Sequence, residues 1–246
     1  MSKKTISAKN GKLSLKPKGR RNIPNRLVEL GRHLVYSEGT KTEPYYVENI
    51  KKCIAKSFKT STNEIEIIIA NEKSYNTVGL VEFALKDVDK RIRDGEMIDH
   101  VWIMFDKDDF PLDKFKAADK KINDMNNSSK SQGEGFKYNS ENEIVYHSCY
   151  SNQCFELWLL LYFCYLDTDI TRPAYIEKLE EQISKKIPGF KYEKNKERIH
   201  SIITEAGGKI ENAIRNAKKL VELNKLDAPS TAVYLFAEYM NAYMEK

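Results

Sequence analysis

The segment HVWIMFD, residues 100–106, restricts the possible folds more than any other stretch of the chain. It is a strand-length apolar run closed by an acid, and a strand that is apolar on both faces must be covered on both faces. Parallel sheets flanked by helices meet that demand. Three further short runs read as strands: RHLVYS (32–37), EIEIIIA (64–70) and EIVYHS (143–148). Helical periodicity fills the gaps between them. A helix opens at Glu43, with Thr42 as its cap and Pro44 in the first turn, and places Tyr46, Ile50, Cys53 and Ile54 on one face. A second helix covers 77–93, with Leu80, Val81, Ala84, Leu85 and Val88 on its apolar stripe, and a third runs from about 112 to 125. The order β-α-β-α-β-α-β predicts an α/β fold: a mostly parallel sheet of about four strands flanked by helices. The polar stretch 126–142 reads as a loop. From Ser151 onward nearly everything reads as helix, most regularly over 209–224. The expected organisation is a basic arm (1–28), an α/β core (29–150) and a mainly helical part (151–246) packed on that core.

Charge separates the arm from the body. Residues 1–28 hold nine Lys or Arg and no acid, whereas the rest of the chain holds 32 basic and 36 acidic residues. Such an arm suits salt-sensitive contact with phosphates, through Lys16, Lys18, Arg20, Arg21 and Arg26. A solvated leader is the plainer alternative. No apolar run is long enough to span a bilayer, and no signal core follows the basic N-terminus, so a cytoplasmic protein without membrane contact is expected. The four cysteines show no CxxC pair and no zinc-type spacing, which reads as reduced thiols.

Open parallel sheets form their sites beyond the carboxyl ends of the strands. Two predicted strands end there in acid, the first at Glu38 and the third in the DKD of Asp106 and Asp108. Carboxylates brought that close raise one another's pKa unless a cation neutralises them, and hard oxygen donors suit Mg²⁺ or Mn²⁺. Glu156 is the one carboxylate inside the apolar segment SNQCFELWLLLYF (151–163). Burial obliges it to find a partner. It either pairs with a lysine or arginine, accepts backbone N–H bonds at a helix start, or joins the acids at the strand ends. The four histidines (33, 100, 147, 200) are scattered and form no HExxH, and there is no complete P-loop, GxGxxG or GxSxG.

Taken together, VYSEGTKTEPYYVENI, VWIMFDKDDF and SNQCFELWLLLYF resemble the signature blocks of the RloB-like family, and the likeness extends to DAPSTAVYLFAEYM near the end. RloB-like proteins are encoded in bacterial restriction and abortive-infection loci, usually beside an ATPase, and are similar to Toprim domains. The resemblance implies Glu38 as general acid/base or metal ligand and Asp106 and Asp108 as Mg²⁺ ligands. Glu43 stands near the place of another acidic ligand, five residues after Glu38 rather than four, and Glu156 resembles the later acidic position. A lysine often completes such nuclease sites, with Lys194 and Lys209 as the candidates. Gln153 replaces the proline that commonly follows SN in the family, and Tyr162 stands where a histidine is frequent.

The expectation is therefore a Mg²⁺- or Mn²⁺-dependent nuclease that hydrolyses DNA or RNA in anti-phage defence under an ATPase partner. A homodimer is implied by likeness to Toprim nucleases. The alternative is a non-catalytic nucleic-acid-binding or regulatory subunit. A HAD-type phosphatase fits less well, because its DxD follows the first strand rather than a later one.

Overall fold

The computed structural model describes residues 29–70, 75–131 and 143–244, the side chains of 127–131 excepted. Five strands form one sheet: β1 (His33–Ser37), β2 (Ile67–Ile69), β3 (His100–Asp106), β4 (Val145–Asn152) and β5 (Ser230–Thr231). Their spatial order is β2-β1-β3-β4-β5, with β1 to β4 mutually parallel and β5 antiparallel to β4. The α/β class and the mostly parallel sheet are as the sequence predicts.

Eight helices are described: α1 (Thr42–Ser57), α2 (Thr77–Arg93), α3 (Leu112–Ser131), α4 (Phe155–Leu160), α5 (Arg172–Ser184), α6 (Ile199–Glu205), α7 (Ile210–Asn224) and α8 (Tyr234–Asn241). Alternate residues of the strands face opposite layers, as the pleat requires. Val35, Trp102, Met104 and Cys149 share one core with α1 and with the helices that follow β4. Leu34, Tyr36, Val101, Ile103 and Phe105 share the other with α2 and α3. All of β3 after His100 is buried, which is why its sequence is apolar throughout.

Several boundaries differ from the sequence reading for identifiable reasons. The second strand is only Ile67–Ile69, because Thr62–Glu64 turns as a 3₁₀ helix capped by Ser61. The fourth strand continues past residue 148 to Asn152, since β3 pairs with it as far as Asp106↔Ser151 and β5 pairs with its end. Helix α3 runs on to Ser131, through part of the predicted loop. Residues 132–142 of that loop lie outside the described residues, as does the basic arm with Lys16, Lys18, Arg20, Arg21 and Arg26. Thr42 is the first residue of α1 rather than its cap. Its hydroxyl donates to Lys194 O at 3.1 Å, and the cap position falls on Lys41.

The rims of the sheet, β2 and the length of β4 that β5 does not pair, carry side-chain covers. Lys51 Nζ donates to Ile67 O at 2.9 Å. The Asn126 amide serves Tyr146 twice, donating to its carbonyl and accepting from its N–H, both at 2.8 Å.

At the amino ends of the strands the register gathers three of the four histidines. His33 and His100 are directly paired in the sheet, and their rings stack at 4.9 Å. His147 stacks on Trp102 at 3.7 Å and lies 3.0 Å from His100, nitrogen to nitrogen. His33 is fully buried; its Nε2 donates to Leu30 O at 2.6 Å and its Nδ1 accepts from Trp102 Nε1 at 3.0 Å. The expectation of scattered histidines is corrected here, because strand register brings together residues 67 and 47 positions apart in the chain. His200 stays apart, edge-on to Tyr46 and Tyr162.

Candidate functional site

The carboxyl ends of β1 and β3 lie side by side, and the chain leaves both through acidic turns. The Glu38 N–H donates to Met104 O at 3.0 Å, so the first residue after β1 is still tied to β3. Its carboxylate oxygen Oε2 accepts from the Asp106 N–H and the Thr77 hydroxyl, each at 3.2 Å. The following glycine has a steric reason. A Cβ on Gly39 would sit 2.9 Å from Glu43 Oε2, so only glycine lets the chain pass that carboxylate undisturbed. Glu43, in the first turn of α1, is buried at 7% exposure.

The turn after β3 is held by the end of β4. The Lys107 N–H donates to Ser151 O at 2.8 Å and the Asp108 N–H to Gln153 O at 2.9 Å. Asp108 takes φ +38°, in the left-handed region that aspartate tolerates better than most side chains. Helix α4, buried along its whole length, presents Glu156 in its first turn, and Tyr192 Oη donates to Glu156 Oε1 at 3.1 Å.

These elements enclose a cavity of about 370 Å³ lined by Glu38, Glu43, Asp106, Asp108 and Glu156. Three cationic side chains, Lys41, Arg172 and Lys194, share its wall. All five acids read from the sequence therefore meet in one place. Of the two candidate lysines the structure brings Lys194 to the cavity. Lys209 instead precedes α7, with its N–H donating to Tyr162 O at 3.1 Å, and does not line the cavity.

Arg172 is the residue that the sequence reading did not name. It opens α5 and reaches three acids at once: Nη2 to Asp106 Oδ2 at 2.5 Å, Nη1 to Asp108 Oδ2 at 2.5 Å, and Nε to Glu156 Oε2 at 3.3 Å. The pairing of Glu156 with an arginine and its place among the strand-end acids, which were alternatives in the sequence, hold together. Both Glu156 Oε2 and Arg172 Nε are nevertheless buried without a hydrogen-bond partner.

The electrostatics follow from burying many like charges. Burial raises the Glu38 carboxyl above its ordinary range, against the Asp106 N–H and the Thr77 hydroxyl. Burial, with the charges of Glu156 and Glu38, lifts Glu43 to about 7. Asp106 is pushed well above the usual aspartate value by burial and by Glu43, although Arg172 pulls the other way. Asp108 is raised by burial and drawn down by Arg172. Cys154, just before α4, is raised by burial and by Glu156 and Asp106, so its thiol keeps its proton and offers no thiolate nucleophile.

The donor set suits a hard divalent cation. It consists of oxygens, carries more negative than positive charge, and includes in the nearly inaccessible Glu156 an oxygen that accepts no hydrogen bond. Asp106, Asp108, Glu156, Glu43 and Glu38 are the residues that could hold Mg²⁺ or Mn²⁺. As they lie, the point on which Asp106, Asp108 and Glu156 converge holds the Arg172 guanidinium. No group of three or more His, Cys, Asp or Glu among the described residues is arranged to ligate an ion.

No helix among the described residues is long and apolar enough to cross a membrane. No curated protein and no solved structure matches the chain. A family model does, that of the RloB-like protein, over residues 33–240. That span takes in the sheet from β1 to β5 and every acid of the cavity, so the chain belongs to the RloB-like protein family.

Proposed function

We propose that the chain is a metal-dependent nuclease of the Toprim type. In this reading it hydrolyses phosphodiester bonds of DNA or RNA, tRNA included, as an effector of bacterial anti-phage abortive infection controlled by an ATPase partner. The observation that carries the proposal is the convergence of Glu38, Glu43, Asp106, Asp108 and Glu156 on one cavity beyond the carboxyl ends of parallel strands. An acid after the first strand and a DxD after the third follow the order that the Toprim likeness implies.

When bound, Mg²⁺ or Mn²⁺ would supply charge neutralisation at the phosphate and a lowered pKa for the attacking water. The protein supplies the rest. Glu38 holds a half-buried carboxylate with a raised pKa at the cavity wall, suited to taking a proton from the nucleophile. Lys194 brings positive charge to the same wall, where negative charge develops on the phosphate oxygens. The basic arm adds grip on the nucleic-acid backbone without reading its sequence. A second reading, a non-catalytic binding or regulatory subunit, draws support from Arg172, which neutralises part of the acid cluster by itself.

The deciding experiment is Mg²⁺/Mn²⁺-dependent cleavage of plasmid DNA, single-stranded DNA and total tRNA, with and without the neighbouring ATPase. Wild type is compared with Glu38→Gln and with the double variant Asp106→Ala/Asp108→Ala. Cleavage by wild type that both variants lose supports the nuclease. Cleavage that survives in the double variant, or none under any condition, refutes it and leaves the binding subunit.

A further inference from the structure

Arg172 reaches three separate carboxylates with three different nitrogens, and such a grip is more than a surface ion pair. Its Nη1 and Nη2 take one oxygen each from Asp108 and Asp106, while Nε faces Glu156, whose side chain is only 2% exposed. Asp106 and Glu156 are both buried, so the guanidinium is their near neighbour in a region that screens charge poorly. Among the described residues Arg172 is the one cation in contact with all three carboxylates, and Lys194 on the same wall acts on Asp108 and on Glu43 as well. The Nε–Oε2 approach is incomplete: both atoms are buried, and neither makes a hydrogen bond.

A divalent ion bound by these oxygens would lie about 2.0–2.6 Å from each. It cannot share them with nitrogens already at 2.5 Å. Resting on the metal-dependent reading above, we propose that Arg172 competes with the divalent cation for Asp106, Asp108 and Glu156. Loading the ion then displaces the guanidinium into the cavity to meet the substrate phosphate. The geometry suits both positions. Arg172 is anchored at the first residue of α5, where Pro173 fixes the helix start, so the backbone stays put while the side chain swings. A guanidinium binds phosphate through the same two-pronged donor edge that it now offers to the two aspartates. The exchange makes the cation a switch for substrate affinity, since one event fills the carboxylates and frees the phosphate ligand.

The test is calorimetric titration of the full chain with Mn²⁺ alone, for wild type, Arg172→Gln and Arg172→Lys, with circular dichroism to show that each variant folds. Arg172→Gln removes the competitor and is expected to tighten Mn²⁺ binding by about tenfold or more, with Arg172→Lys between it and wild type. A second arm measures an uncleavable oligonucleotide in Ca²⁺. Arg172→Gln should bind it more weakly than wild type despite holding the cation more tightly. Unchanged or weaker Mn²⁺ binding in Arg172→Gln overturns the competition while leaving the metal reading standing. Absence of Mn²⁺ binding in wild type and in both variants overturns the metal reading, and this inference with it.

Discussion

The histidine stack at the amino ends of the strands makes a sharp prediction about acid stability. His33 is wholly buried, and burial together with the charge of His100 lowers its pKa from 6.5 to about 4, against the Leu30 carbonyl and Asp99. The folded protein therefore keeps His33 neutral at a pH where the unfolded chain has already taken up a proton. Stability from this residue is complete above pH 6.5 and is lost as the pH falls toward about 4. Between pH 8 and pH 5 those two pKa values correspond to a loss of about 2 kcal/mol. In a chain of 246 residues that is a fall in Tm of roughly 4–8 °C. His100 and His147 face the same stack and are lowered too, so they act in the same direction. The cavity acids act oppositely. Glu43, raised to about 7, contributes stability at low pH that is lost as the pH rises through that value. A comparison with His33→Gln separates the two, because the acids are common to both proteins. Urea unfolding at pH 8, 6.5 and 5 should show the variant less stable at pH 8, because the ring stacked on His100 is gone. It should also show a smaller drop on going to pH 5, by about 2 kcal/mol. Parallel curves for the two proteins would mean that His33 titrates normally in spite of its burial, and would refute the shift.

Two further outcomes are expected. Gly208→Ala places a Cβ 2.6 Å from Ile203 Cγ2 and 3.0 Å from both Ile203 O and Tyr162 Cβ. It should cost about 1–3 kcal/mol in chemical denaturation, and a neutral result would show that α6 can shift at no cost. Deleting residues 1–28 should weaken nucleic-acid binding and flatten its salt dependence, by about 0.9 in the logarithmic slope for each duplex phosphate that the arm neutralises. An unchanged slope would make the arm a passive leader.

How much of this was legible in the sequence depended on how local each signal was. The acids at Glu38, Asp106 and Asp108 could be placed because each follows an apolar run, and the run itself marks the strand end. Glu156 stood out as a lone charge in an apolar segment, but whether it met an arginine or the strand-end acids depended on α5, which no periodicity ties to β3. Arg172 lies 66 and 64 positions from Asp106 and Asp108, and nothing in the letters around it distinguishes it from a surface arginine at a helix start. Lys194 and Lys209 were equal candidates for the same reason: the segment before α6 is brought to the cavity by Thr42 and Asn49, which bond the carbonyls of Lys194 and Glu197. Strand β5 is two residues long and too short to carry a pattern of its own. The end of α3 was hidden by its composition. Asparagine and serine read as loop, yet Asn126 spends its side chain on Tyr146 rather than on breaking the helix.

The Asn126 amide and the Lys51 ammonium have a consequence for how copies of this protein can meet. A strand at the rim of a sheet is an open template onto which another chain can add its own backbone. Here Tyr146 already has both backbone groups taken by one side chain, the far end of β4 is paired with β5, and on the opposite rim Lys51 occupies the Ile67 carbonyl. A second molecule extending the sheet along β4 would have to dislodge Asn126 and β5 together. Self-assembly, where it occurs, is thereby steered to helical surfaces, and the rim is guarded against the runaway strand-to-strand growth that leads to fibres.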